Sequence, residues 1–397
     1  MSDLPCVHIE QSGRRIEPFL DPIGETFIQS RSLQQWQEEA IRDAGLRIVD
    51  KPNPPCLIIP DTLFITGDAI KQFLAGAAGK NAQLVLKHSV FAKTTTPVQP
   101  GVEECADGYL FKAVRFDAGN DETPKQVVVD PEEKVLSLPT PEYYYGSDKI
   151  ELSLPKKPII TLHHWIHILW INQYAGSIEI RTLPKWKLVV RGLWALLRAR
   201  SFNKWKFLSK FNRIGKNCDI HPTAVIEGST LGNGVKVGPY ARILFSNVGD
   251  ESLIMACAQL ELCQLGERSL VSQRVYLRCC VLYPEAVAGQ YLMQQCILGR
   301  QAITTNGAFS LDLNFEKPIR VKLDGQLLSS GQQLLGSAFG HRSKIGTGIW
   351  MAPGRSVPND VFLLRDPETI LSKLEIPDGA SGPLVVKGDH LEAMPKK

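Results

Sequence analysis

The sequence predicts an α/β amino-terminal domain and a parallel β-helix of hexapeptide coils, joined by a basic amphipathic helical segment. Three observations predict it. From Ile214 to Leu282 an aliphatic residue recurs in steps of six, six and five, a seventeen-residue frame run four times. Before residue 157, short β-rich runs alternate with helical ones. Between them, residues 158–213 hold five of the seven tryptophans and ten Lys or Arg against the single acid Glu179, a local charge of +9. The chain carries +4 in all, so the remainder is about −5.

Each β-helix frame opens on the same pair: Ile214-Gly215, Leu231-Gly232, Val248-Gly249 and Leu265-Gly266. The aliphatic side chain points inward and stacks on its equivalents about 4.8 Å above and below. Glycine serves the corner because it has no Cβ where one coil's backbone approaches the next. A helix would repeat near 3.6 residues, and separate strands would keep no common frame. After Leu282 the frame loosens, although Leu298-Gly299 falls within one residue of the next coil start. The run IRVKLDGQLL reads as a hairpin on Asp324-Gly325. The repeat resumes at Leu335-Gly336 and runs through Ile345-Gly346, Met351 and Val357.

The expected units are therefore 1–157 (α/β), 158–213 (basic helical segment), 214–300 (first coil run), 301–332 (inserted arm), 333–358 (second coil run) and 359–397 (tail). Within the first, a helix is expected over Gln34–Ala44. A strand (Cys56–Ile59), an acidic turn at Asp61 and a helix over Asp68–Ala75 follow, with Asp68 as its cap. Further strands are expected at Gln83–Lys87, Gly108–Phe116 and Gln126–Val129. A tail helix is expected at Pro367–Leu374. Six of the nine cysteines lie in or beside the coils without metal-binding spacing, so reduced, buried thiols are expected. The first residues have no apolar signal core, and no run reaches the length of a membrane span. A cytoplasmic protein is expected, peripheral on the inner membrane if the basic segment binds lipid.

On a helical wheel Trp186, Val189, Val190, Leu193 and Leu197 share a face, with Lys187, Arg191 and Arg198 together beside it. Trp205 opposes Lys206 and Lys210 in a second, shorter helix. Trp186, Lys187, Arg191, Trp194, Arg198, Trp205, Lys206 and Lys210 are thus the candidate contacts with an anionic membrane surface. The competing reading packs these apolar faces on the first domain and caps the open β-helix edge. No nucleic-acid-binding motif accompanies the charge, and nucleic acid is not expected as a partner. His163, His164 and His167 contain an i, i+4 pair but no carboxylate motif.

The stretch IGKNCDIHPTAVIEGSTLGNGVKVGPYARI resembles the left-handed hexapeptide-repeat superfamily of acyltransferases and nucleotidyltransferases. The resemblance implies a left-handed coil and a homotrimer with sites between subunits. The stretch CLIIPDTLFITGDAIKQFLAGA resembles the middle of a sugar-phosphate nucleotidyltransferase domain, in which the aspartate at Asp61 holds the metal bound to the nucleotide. An aspartate directly after a parallel strand also stands where α/β sheets bind ligands. The family's G-x-G-T-R loop is absent and the chain before Asp61 is short, so the domain reads as truncated and without pyrophosphorylase chemistry. Together the two parts resemble the bifunctional enzymes that make UDP-N-acetylglucosamine.

Acyltransferases of the superfamily use one histidine as general base, a task that suits imidazole. His341 is the candidate here, with Arg342 and Lys344 to meet phosphates of the donor and Trp350 to stack on a ring; His221 beside Pro222 reads as structural. The expected activity is transfer on nucleotide-linked or lipid-linked sugars for the cell envelope. Acyl-coenzyme A or a nucleotide sugar would be the co-substrate, and no protein-bound metal is expected. The alternative is a non-catalytic trimeric scaffold that keeps the fold.

Overall fold

The computed structural model describes residues 5–142, 148–181, 185–200 and 203–366, with short pieces between 376 and 393. The tail helix expected at Pro367–Leu374 lies outside the described residues.

The first strand, β1 (Cys6–Glu10), leads through a long loop to α1 (Leu33–Asp43). A capping box starts that helix: the Ser32 hydroxyl accepts from Gln35 N–H, and the Gln35 side chain accepts from Ser32 N–H. Next come β2 (Arg47–Val49), β3 (Cys56–Pro60), α2 (Gly67–Ala77), β4 (Ala82–Lys87) and α3 (Val90–Thr95). β5 (Val102–Cys105), β6 (Gly108–Asp117) and β7 (Lys125–Val129) complete the sheet. Its order is β7-β4-β6-β3-β1-β2, with β5 on β6. β1 pairs in parallel with both β2 and β3, and β6 alone runs against its neighbours β3 and β4. α2 is capped by Thr66, whose hydroxyl accepts from Ala69 N–H; Asp68, expected as the cap, sits two residues further on in the first turn and faces Lys71.

The basic segment divides in two. α4 (Trp165–Arg181) is a core helix, with Trp165 and Trp170 buried. α5 (Lys185–Ala199) and α6 (Lys204–Leu208) follow on the outside. The turn after α6 covers the first coil: Leu208 accepts from Gly228 N–H, and the Asn212 side chain donates to Ile226 O. The end of α6 and the turn after it thus fasten to one face of the first coil, whereas the apolar face of α5 stays in solvent.

From Arg213 the chain winds as a left-handed parallel β-helix. Two faces carry eight parallel strands each, from Arg213–Ile214 to Ser356–Val357 and from Asp219–Ile220 to Phe362–Leu363. The third carries five strands and then the separate pair Phe309–Ser310 and Trp350–Met351. The register steps by seventeen residues, Leu231↔Val248↔Leu265↔Leu282, then by sixteen to Leu298. The missing residue falls on the corner before the third face, where Leu277 pairs with Met293. Regular coils continue to Ser310, past the expected end of the first run. The inserted arm holds β8 (Arg320–Leu323) and β9 (Gln326–Ser329), an antiparallel hairpin. After it, Ala338–Phe339 pairs with Ile297–Leu298 as though nothing intervened. The final coil reaches Leu363, beyond the expected 358.

Inside the prism the aliphatic ladder is dry: Val248, Ile254, Leu260, Leu265, Val271 and Leu277 are all buried. Cys263, Cys280 and Cys296 stack at one corner below Ser229 and Ser246, where Ser246 N–H donates to Ser229 Oγ and Cys263 N–H to Ser246 Oγ. All nine cysteines are free thiols, and burial pushes those of Cys280 and Cys296 well above the ordinary range.

One face of the prism does not meet water. Val281, Ile297 and Ala338 point outward into a core shared with Phe19, Ile28, Trp165 and Trp170, joined by Val321 and Leu323 of the arm. The α/β domain, α4, the arm and the coils therefore bury one continuous apolar layer.

Candidate ligand-binding site

β2 and β3 flank β1 on opposite sides, so the chain order reverses at β1. Ligands of open α/β sheets bind outside the carboxyl ends of strands at such a reversal. Two loops meet there: Gln11–Arg15 after β1, and Asp61–Thr62 after β3. Gly13 turns the first loop with φ of 64°, a left-handed conformation in which a Cβ is costly. Ser12 N–H then donates to Asp61 Oδ2 at 2.9 Å, and Asp61 N–H donates to Glu10 O at 3.0 Å. From the other side, the buried Gln37 amide donates to the carbonyls of Asp61 (3.1 Å) and Leu63 (2.7 Å). The aspartate is thus fixed at both its backbone and its side chain.

Two cavities border this junction. The smaller, about 300 Å³, is lined by Ser12, Arg14, Thr62, Gly101, Phe111 and His163. The larger, about 610 Å³, is lined by His8, Gln11, Gln34, Gln37, Asp50 and Asp61. Arg14 Nε, Asp61 Oδ1 and His163 Nδ1 are each buried here with no hydrogen-bond partner. Native proteins pair such groups almost without exception. Burial, aided by the nearby Arg14 charge, pushes His163 down to about 4, so the ring is neutral at physiological pH. The hairpin completes the wall: Arg14 reaches Asp324 at 3.3 Å.

The smaller cavity offers a guanidinium, a neutral imidazole and an aromatic wall, which suits a small anionic molecule, and the larger one offers the carboxylate of Asp61, which suits hydroxyl groups. Among the described residues no three His, Cys, Asp or Glu side chains converge on one point. Asp61 alone is a poor metal site, and no step is derived through a metal.

The site expected in the coils is dispersed. His341 is 2% exposed and lies beneath the α/β domain. Its Nδ1 accepts from Arg300 N–H at 2.8 Å and its Nε2 donates to Asp21 at 3.0 Å, while Phe19 and Tyr283 pack on its ring. Arg300 also pairs with Asp21. Burial works to raise the Asp21 pKa, but the hydrogen bonds from His341 and Arg300 outweigh it and hold the carboxyl below its usual value. Both ring nitrogens of His341 are committed, so the general-base role expected of it gives way to that of an interdomain fastener. Arg342 is paired with Asp360 at 2.6 Å. Lys344 is exposed beside Phe362 on the second face, and Trp350 is exposed beside Phe309 on the third. These residues share no pocket.

The ring of His167, by contrast, is structural. His167 Nδ1 accepts from both His163 and His164 N–H at 3.0 Å, capping the start of α4, and its Nε2 donates to Pro97 O. Of the crevice residues, the sequence singled out Asp61 for ligand binding and His163 only as part of an i, i+4 histidine pair. Ser12 and Arg14 were signalled by Gly13 after the β-rich run Cys6–Glu10, a weak cue.

The fold and crevice define an α/β domain mounted on a left-handed β-helix of hexapeptide type. No family model matches the chain, and no curated protein matches it. Among solved structures it is similar to a Bacillus cereus protein described as a "putative acetyltransferase", at 17% identity. That match covers 38% of this chain and 76% of the other, with a TM-score of 0.19. It is also similar to a hexapeptide transferase family protein from Anaplasma phagocytophilum, at 16% identity, with the same coverages and a TM-score of 0.16.

Proposed function

We propose that the chain is a transferase-like protein that binds a nucleotide-linked sugar in the crevice between the Gln11–Arg15 loop and Asp61, and that it serves cell-envelope synthesis. The observation that carries this reading is the set of three buried, unpartnered polar atoms around two cavities at the carboxyl ends of β1 and β3. Arg14 would meet phosphate, for which a guanidinium is the best-shaped partner. Asp61 Oδ1 would accept from a sugar or ribose hydroxyl. The second reading is a binding protein without turnover, favoured because His341, the expected base, is locked in the domain interface. A homotrimer suits either reading: Phe245 and Leu262, one coil apart at the same corner, are both exposed.

A thermal-shift panel of nucleotide sugars and acyl-coenzyme A tests the crevice. At least one nucleotide sugar is expected to raise Tm. Arg14→Ala should weaken that response about tenfold or more, the loss expected for a charged hydrogen bond. A panel without response, or one that Arg14→Ala leaves intact, would refute the proposal. Light scattering tests the trimer, and a monomeric mass would rule it out.

A further inference from the structure

α5 presents an apolar face to solvent. Trp186, Val189, Val190, Leu193, Trp194 and Leu197 are all more than half exposed, while Ala195 on the opposite side is buried. Six large apolar side chains along a single helix are a costly thing to leave in water. At 100° per residue they span an arc of about 140°. The described cations sit on one margin of it: Lys187 beside the Trp186 ring and Arg198 at 4.6 Å from the Trp194 ring, with exposed Lys206 and Lys210 following. Among the membrane contacts expected from sequence, the side chains of Arg191 and Trp205 lie outside the described residues.

We infer that this face of α5 docks on an anionic lipid surface, lying in the interface plane with both tryptophans at headgroup depth. Charge chooses the occupant. The 158–213 segment carries +9, so a second copy would bring like charge against like. The helix is also short: its fifteen residues extend about 22 Å, too little surface for a stable protein interface of about 800 Å² per partner. An anionic leaflet supplies both the apolar medium and the counter-charge, each basic residue near it adding to the attraction. No helix among the described residues is long and apolar enough to cross a membrane, so the contact is one of lying on the surface.

The full-length chain is tested by flotation with vesicles of phosphatidylcholine alone and of phosphatidylcholine with phosphatidylglycerol. Binding is expected to the anionic vesicles, with a blue shift of tryptophan emission, and should fall as salt rises. Leu193→Glu and Leu197→Glu change exposed positions, so circular dichroism should be unaltered while binding falls about tenfold for each. Lys187→Glu with Arg198→Glu should remove much of the salt-sensitive part. Absence of binding to anionic vesicles, equal binding to neutral ones, or binding indifferent to Leu197→Glu would overturn the inference. So would a concentration-dependent rise in mass that Leu197→Glu abolishes, since that would assign the face to a second copy.

Discussion

His163, His164 and His167 sit where a charge has no partner. Burial pushes His163 and His164 down to about 4 and holds His167 well below its ordinary value. The unfolded chain takes up these protons near pH 6.5, before the folded chain does. Stability is therefore complete above pH 6.5 and falls as pH drops from there towards 4, by at most about 1.4 kcal/mol per pH unit for each histidine. Urea titrations between pH 7 and 4.5 should show this, and His167→Gln, which removes one titrating ring, should flatten the slope. A flat profile would mean that the rings are solvated. Asp21 acts lower: its folded pKa is depressed, so its contribution is present above the ordinary carboxylate range and is lost as pH falls through the folded value. His341 teaches the limit of reading single residues. The glycines near it, Gly299 and Gly340, make room for neighbouring coils. A Cβ on Gly299 would lie 2.7 Å from the His341 ring, and one on Gly340 would lie 2.6 Å from Asn359 N. The ring is covered by Phe19 and Asp21, more than 300 positions away in the chain, and no local pattern could reveal that. His341→Ala should consequently cost roughly 2–3 kcal/mol by leaving Asp21 Oδ2 and Arg300 N–H without their partner while Asp21 keeps its pair with the Arg300 side chain, and the thermal shift caused by a nucleotide sugar should survive. Loss of the ligand response without loss of stability would restore the catalytic reading.

At the scale of elements the coil is the best-read part of the molecule, because a strict period encodes strictly repeated contacts. The glycine that heads each frame shows why. A Cβ on Gly249 would stand 2.5 Å from the backbone of Gly266 and Glu267 in the next coil, although its φ is ordinary. The demand is for space, and it recurs every seventeen residues because the neighbouring backbone does. Gly249→Ala should therefore cost about 1–3 kcal/mol through forced displacement of a packed neighbour, measurable as a lowered denaturation midpoint. An unchanged midpoint would mean that the coils slide apart freely. The α/β elements α1, β3, α2 and β4 were legible from their local runs, although the cap of α2 was read as Asp68 where Thr66 serves. β1 and β2 were not, since their partners lie across the sheet and their sequences are short and mixed. The sense of the basic segment was half legible. Its composition named it, but which of its helices is buried depends on the outward surface of coils that come a hundred residues later.

Across the whole molecule the parts are joined by apolar packing more than by linkers. Ile297 points out of the prism and is fully buried against the α/β side, in the same layer as Phe19, Trp165 and Tyr283. A β-helix considered alone is a chain of nearest-neighbour contacts and can lose its end coils one at a time. Here the covered face ties the middle and later coils to a sheet that has its own core. Opening either one would expose the shared layer, and burying a large aliphatic side chain of that layer is worth roughly 1.5–3 kcal/mol. The expected consequence is one cooperative transition for the described body, with coil amides such as those of Val281 and Ile297 losing exchange protection together with those of β3 and β4. Ile297→Asp places an unpaired carboxylate in the layer, a change that buried apolar sites resist strongly. It should split the transition in two, the sheet melting first and the early coils, Arg213 to Glu261, last. Calorimetry with residue-resolved hydrogen exchange distinguishes the cases. Two transitions already present in the wild type would show that the covered face is a loose contact, and that the α/β domain and the prism are stable independently.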